Sequence, residues 1–175
     1  MKFTPTILLS FFFFSATAQI DPPDSIYIST IVKQGTIMTK ALLAKDYVTF
    51  AKYTNPTIVK MAGGEDKMIG LIRSQMEKYQ LQGFTILDCS VESPLNIIHS
   101  HGALQCILLE NLEMKVPTGR ITTSSVLIGI SNDKGKNWTF IETQGKDLKT
   151  MKESIRDLSD VLVIPKVKKP VMIKD

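Results

Sequence analysis

The two histidines of this chain, His99 and His101, are separated by a single residue. On a β-strand, residues two apart point to the same face, so the two imidazole rings are placed as two ligands of a metal ion would be. No further ligands can be identified by spacing, and we expect the pair to face solvent or to line a pocket, with no metal bound. Asp88 lies in an otherwise apolar segment and could join the histidines as the acid of a catalytic set. The simpler interpretation of Asp88 is an edge or solvent-facing position.

Cys89 and Cys106 both lie in apolar segments that resemble neighbouring strands of a hairpin. A disulfide across the two strands is geometrically conceivable. Two buried thiols that act as small apolar side chains are an equal alternative. Neither cysteine belongs to a Cys-x-x-Cys pair, so metal binding and redox chemistry are not expected.

The segment 131–138 reads Ser-Asn-Asp-Lys-Gly-Lys-Asn-Trp and matches the Asp-box pattern S-x-D-x-G-x-x-W. In such a turn Asp133 accepts backbone N–H bonds, Gly135 adopts a conformation that a side chain would oppose, and Trp138 packs back over the hairpin. A single copy does not build a propeller, which needs repeated blades. The motif, which begins at Ser131, therefore predicts a structural turn between the last two strands.

Other motifs with specific chemistry are missing from the sequence. There is no G-x-S-x-G nucleophile elbow, and Gly63-Gly64 lacks the lysine and hydroxyl residues of a phosphate-binding loop. We expect no cofactor. The formal net charge is +4, and the lysines are scattered without a dense basic stripe, so nucleic acid is not an expected partner.

The first half of the chain shows helical periodicity. A first helix is predicted from residue 25, and a second spans 47–53 with Asp46 as its N-cap. Asn55-Pro56 should stop this helix, and residues 57–61 then resemble a brief strand. Glu65 and Asp66 place acidic groups at the start of the next helix, which should end near Gly83.

The second half of the chain changes to period-two alternation. Four strands are predicted, at residues 84–92, 97–114, 121–131 and 138–142. A last helix is expected at 147–158, followed by a basic, extended tail. Helices followed by consecutive strands predict an α+β fold in which the N-terminal helices pack on a strongly curved antiparallel sheet.

The segment 41–56, which reads Ala-Leu-Leu-Ala-Lys-Asp-Tyr-Val-Thr-Phe-Ala-Lys-Tyr-Thr-Asn-Pro, resembles the opening of the nuclear transport factor 2-like superfamily. The order of elements over roughly residues 26–142 is also similar to that superfamily. The resemblance implies a cone with one open end, which relatives use as an enzyme site or a ligand pocket, or fill with side chains. Met38, Met76 and Phe84 are the expected lining of such a pocket.

The ketosteroid-isomerase-like members of this superfamily carry a tyrosine on the first helix and an acidic base near the end of the first strand. The first position falls near Met38 here, and the second falls within Lys60-Met61-Ala62. Neither residue type is present. Because proton abstraction beside a carbonyl needs a tuned carboxylate, the comparison disfavours that activity.

Residues 1–18 have the layout of a secretory signal peptide. Lys2 precedes an apolar run at 7–14, and the small residues Ala16 and Ala18 precede Gln19. The run is too short to cross a bilayer permanently.

No cysteine follows the predicted cleavage site, and no later segment could serve as a membrane anchor. We expect an exported, soluble bacterial protein with a leader at 19–24, one domain at 25–164 and a tail at 165–175.

Three functions follow from these observations. The leading one is a non-enzymatic exported domain whose pocket binds a small apolar or amphipathic ligand, or no ligand. The second is an isomerase, dehydratase or hydrolase that uses an unconventional set such as His99, His101 and Asp88. The third is a homodimerising module that pairs through the outer sheet face, which a wide apolar patch there would favour.

Overall fold

The computed structural model describes residues 23–173, so the predicted export segment 1–18 lies outside this range. The described chain forms five helices: α1 (Ser25–Leu43), α2 (Tyr47–Tyr53), α3 (Pro56–Met61), α4 (Glu65–Leu81) and α5 (Leu148–Ser154). It also forms six strands: β1 (Thr85–Val91), β2 (Asn96–Ser100), β3 (Ala103–Val116), β4 (Gly119–Ser131), β5 (Thr139–Glu142) and β6 (Val171–Ile173).

The six strands make one sheet in which every ladder is antiparallel. The main order is β1-β3-β4-β5, with β2 also pairing with β3 and β6 also pairing with β4. The α+β class predicted from the sequence is therefore confirmed, and the sheet remains open. No helix in the described part of the chain is long and apolar enough to cross a membrane.

Local capping explains why two short helices form where the sequence predicts them. The Asp46 side chain accepts a hydrogen bond from the Thr49 N–H at 3.1 Å, and α2 begins at the next residue. Asp147 accepts in the same way from Thr150 at 2.9 Å. Each cap satisfies a backbone donor that the first helical turn leaves unpaired. The helix after Asp147 is shorter than predicted, since it ends at Ser154.

Two predicted elements are wrong. Residues 57–61 belong to helix α3, not to a strand, because the Asn55 side chain caps the Thr57 N–H at 3.0 Å and Pro56 occupies the first helical turn. The predicted strand 97–114 is two strands, β2 and β3. His101 and Gly102 separate them with φ angles of 53° and 76°, which turn the chain back on itself.

The two faces of the sheet carry separate cores. On the side that we call the α1 face, α1 packs its apolar stripe against β3, β4 and β5; the buried residues there are Tyr27, Ile31, Met38, Leu104, Cys106, Leu108, Leu127, Trp138 and Phe140. On the opposite side, the outer face, α5 and residues 155–164 cover the sheet; the buried residues include Ile107, Val126, Ile128, Ile130, Met151 and Leu158.

Buried Gln105 fixes the C-terminal segment on the outer face. Its side-chain N–H donates to the Asp157 carbonyl at 2.7 Å, and its side-chain oxygen accepts from the Ser159 N–H at 2.9 Å. Gln105 is 1% exposed, so leaving either group unpaired would be costly. The chain then runs back to the sheet, and residues 171–173 form β6 on the edge of β4.

Candidate functional site

The structure separates the residues of the predicted catalytic set. His99 lies opposite Leu104 and therefore on the α1 face, where its Nε2 is 2.9 Å from the Asp24 carboxylate. His101 is exposed in the turn after β2. Asp88 lies opposite Glu113 on the outer face. The proposed set of His99, His101 and Asp88 is thus wrong, because side chains on opposite faces cannot act on one substrate.

The histidines are also not arranged as a metal site. The prediction that both point to one face assumed a continuous strand, and the turn that begins at His101 breaks that strand. Among residues 23–173, no group of three or more potential metal-ligating side chains comes together.

Cys89 and Cys106 are free, buried thiols. Cys89 lies opposite Leu112 in the β1–β3 ladder, six positions along β3 from Cys106. At about 3.4 Å per residue this places the two cysteines roughly 20 Å apart along the sheet. A disulfide needs Cα atoms within about 7 Å, so the cross-strand bridge is excluded and the buried-thiol alternative describes the structure.

The Asp-box residues form a tight turn between β4 and β5. The Ser131 hydroxyl donates to Asp133 at 2.9 Å and accepts from the Gly135 N–H at 2.9 Å. The Trp138 indole N–H donates to the Gly135 carbonyl at 3.0 Å. A Cβ on Gly135, which has a φ of +81°, would lie 2.2 Å from the Tyr27 ring. The turn therefore docks the hairpin against α1, which is a structural role.

An apolar groove opens where α1 and α2 meet α4 and the start of β1. Its volume is about 220 Å³. Met76 and Phe84 line it, as the sequence predicts, together with Leu42, Leu43, Lys45, Tyr47, Tyr79, Gln80, Thr85, Ile86 and Met114. Met38 is instead in the core and is 3% exposed. The groove is thus displaced from the position predicted for the pocket, toward the ends of α1 and β3.

A carboxylate pair lies on the α1 face, farther along β3. Glu110 accepts hydrogen bonds from the Ser125 hydroxyl at 2.8 Å and from the Cys89 thiol at 3.5 Å. Glu142, on β5, has an exposed side chain, and the partial desolvation of its carboxyl group and then the charge of Glu110 raise its pKa above the usual 4.5. Burial and then Glu110 also raise the pKa of the Cys89 thiol. The raised pKa holds Cys89 as a neutral thiol.

Sequence reasoning missed this carboxylate pair. Alternation along β3 could have indicated Glu110, because it shares a face with the buried residues Cys106 and Leu108. Glu142 could not have been associated with it, since only the β4–β5 register brings Glu142 beside Leu127, two positions from Ser125.

A second cavity, polar and about 370 Å³ in volume, lies on the outer face. Its lining includes Asp88, Asn111, Glu113, Thr122, Ser124 and the tail residues Lys168 and Lys169. A wide apolar patch on the outer face would favour the homodimer that the sequence offers as a third function. The lining of this cavity is mostly polar or charged, whereas Val171, Met172 and Ile173 on the adjoining strand β6 are exposed.

No known protein-family model matches this chain, and no curated protein is significantly similar to it in sequence.

Proposed function

We propose that this protein is an exported, non-enzymatic domain that binds a small amphipathic ligand with an anionic head in the apolar groove. The observation that carries the proposal is the lining of that groove. Eight of the residues around it are apolar or aromatic, and Lys45 is the one charged residue among them. A small-molecule site commonly combines such an apolar wall with a few polar groups that orient the ligand.

The size of the groove limits the ligand. An engineered protein cavity of about 150 Å³ takes up benzene, so a volume of about 220 Å³ suits a short acyl chain or a small ring system. Burial of each methylene is worth about 0.8 kcal/mol. Affinity should therefore rise with chain length until the chain fills the groove.

Lys45 determines the expected charge of the ligand head. It lies in the turn between α1 and α2 with a φ of 59°, and its N–H donates to the Leu42 carbonyl at 3.1 Å. This turn holds the lysine at the rim of the groove. No carboxylate is among the groove residues, so an anionic head would meet an ammonium group without a competing acid.

The order of the elements supports placing the domain in the nuclear transport factor 2-like superfamily, as the segment 41–56 indicates. A long helix, a short helix and further helices precede consecutive antiparallel strands. Under this proposal the groove corresponds to the opening of the cone. The layout of residues 1–18 supports export.

The test is isothermal titration calorimetry with octanoate and octanol, which share a chain length and differ in charge. We expect octanoate to bind more tightly, and Lys45→Gln to reduce its affinity to that of octanol. Lys60→Gln, which changes a lysine on α3 away from the groove, is the matched control. Met76→Trp should fill the groove and abolish binding of both ligands.

Met61→Trp is the control for added bulk, because Met61 is 63% exposed and does not line the groove. The proposal fails if octanoate does not bind the wild-type protein, or if it binds the Met76→Trp variant as tightly as the Met61→Trp variant.

A further inference from the structure

The polar cavity on the outer face has walls of opposite charge. Its volume of about 370 Å³ lies within the range of roughly 300–1,000 Å³ that is common for small-molecule sites. Asp88 and Glu113 lie on one side, and Lys168 and Lys169 on the other. From this arrangement we propose that the cavity binds a short peptide with both termini free, the ammonium group at Asp88 and the carboxylate at the two lysines.

The acidic wall has one carboxylate available for a ligand. Asp88 and Glu113 are direct partners in the β1–β3 ladder, so their side chains project from the same face. Glu113 accepts from the Arg120 guanidinium at 3.2 Å, which offsets its charge. Asp88 makes no ion pair with any residue of the described range 23–173, and it is the group left to meet a cation.

The basic wall is positioned by the last strand. Val171 of β6 pairs with Thr122, and this pairing brings the preceding residues Lys168 and Lys169 over the cavity. Pro170 restricts Lys169 to an extended conformation. Within the described part of the chain neither lysine forms an ion pair, so both ammonium groups remain available to a carboxylate.

The floor supplies neutral hydrogen-bonding groups that suit a peptide bond. The Ser124 hydroxyl donates to the Asn111 side-chain oxygen at 2.7 Å, and the Asn111 amide N–H donates to Glu92 at 2.8 Å. These bonds fix the orientation of the Asn111 amide and leave acceptor capacity on the Ser124 oxygen.

The spacing of the walls leaves room for an extended dipeptide. Asp88, Glu113, Thr122 and Val171 lie side by side across four strands. Three inter-strand spacings of about 4.8 Å separate the backbone of Asp88 from that of Val171 by roughly 14 Å. An extended dipeptide spans about 7 Å, and the side chains of the two walls can bridge the remaining distance.

The test compares Ala-Ala with two blocked forms by calorimetry. N-acetyl-Ala-Ala lacks the ammonium group, and Ala-Ala amide lacks the carboxylate. We expect Ala-Ala to bind the full chain, and each blocked form and free alanine to bind about two- to fivefold more weakly, which is the range for an exposed ion pair. The inference is overturned if Ala-Ala does not bind, or if a blocked form binds as tightly.

Variants of the walls should remove each preference separately. The Asp88→Asn variant should bind Ala-Ala and N-acetyl-Ala-Ala equally well. The double variant Lys168→Gln/Lys169→Gln should bind Ala-Ala and Ala-Ala amide equally well. Lys166→Gln, on the same tail but outside the cavity lining, and Asp66→Asn on α4 are the matched controls and should leave both preferences intact. If the wall variants still prefer Ala-Ala over the blocked forms as strongly as the wild-type protein does, the proposed peptide site is refuted. None of these residues lines the apolar groove, so the two proposals fail separately.

Discussion

The two ends of the long central strands differ in how they are covered. At the closed end, residues 104–109 of β3 and 126–131 of β4, side chains such as Ile107 and Ile128 are fully buried. At the open end, residues 110–115 and 120–125, every side chain keeps partial or full exposure. The strands are paired without interruption through both ends.

This difference follows from the lengths of the layers. The buried core on the α1 face and the buried core on the outer face both contact the closed end, so that end is packed on its two faces. The helices and the C-terminal segment do not extend over the whole strands, and both cavities and the carboxylate pair lie at or beside the open end. One pair of strands thus provides a rigid support at one end and accessible polar groups at the other.

The largest effect expected from this comparison is on stability at the closed end. Ile128→Ala removes a side chain with 0% exposure and should destabilise the protein by about 3–4 kcal/mol. Ile121→Ala, on the same strand at the open end, should cost less than about half of that because its side chain is only half-buried. Urea denaturation measures both free energies of unfolding. Equal losses would contradict the division into a closed and an open end.

A smaller effect is expected in the pH dependence of stability. The folded state raises the pKa of Glu142, so it binds more protons than the unfolded state just above pH 4.5. Stability is therefore lost as the pH rises from 4.5 through the folded pKa. Glu142→Gln should remove this loss and make the variant more stable relative to wild type at neutral pH than at pH 4.

Denaturation at several pH values checks this expectation, with Glu153→Gln on α5 as the control. NMR titration of the Glu142 carboxyl gives the direction of its pKa shift independently. A midpoint at or below 4.5 would show that the charge of Glu110 and partial burial do not govern the pair.

The smallest expected effect concerns the two thiols. Burial raises the pKa of Cys106 at the closed end to about 12, whereas the pKa of Cys89 is raised by burial and also by Glu110. Glu110→Gln should lower the pKa of Cys89 and increase its alkylation by iodoacetamide severalfold at pH 9, with no change at Cys106. Peptide mass mapping distinguishes the two sites.

Glu113→Gln changes an acid on the outer face of the same strand and should leave both alkylation rates unchanged. An equal increase at Cys106 would instead indicate that Glu110→Gln loosens the whole sheet.

The sequence predicted those elements whose signals are local. Asp46 and Asp147 indicated helix starts, and alternation indicated the long strands, because a cap or a period depends on neighbouring residues alone. The helix at Pro56 was missed because Asn55-Pro56 is compatible with both the end of one helix and the start of another. The turn at His101 was missed because only Gly102 signals it within an apolar segment.

The placement of the predicted site residues depended on information that local patterns lack. Of the three predicted pocket residues, Met76 and Phe84 line the apolar groove, whereas Met38 lies in the core. The predicted grouping of the two histidines with Asp88 rests on residue type alone, and in the structure a single turn and the strand register separate these side chains. A shift of one position along a strand moves a side chain to the other face. The pairing register therefore decides which side chains meet, and local sequence patterns do not specify it.

By itself, the sequence determined the α+β class, most helix boundaries, the alternating strands and the Asp-box residues, since each follows from interactions between residues close in the chain. Tertiary structure alone decided that Glu110 meets Cys89 and Ser125, that the lysines of the tail oppose Asp88, and that the two thiols stay apart. These contacts join residues that are distant in the chain, and their geometry depends on pairing register and on where the covering layers end.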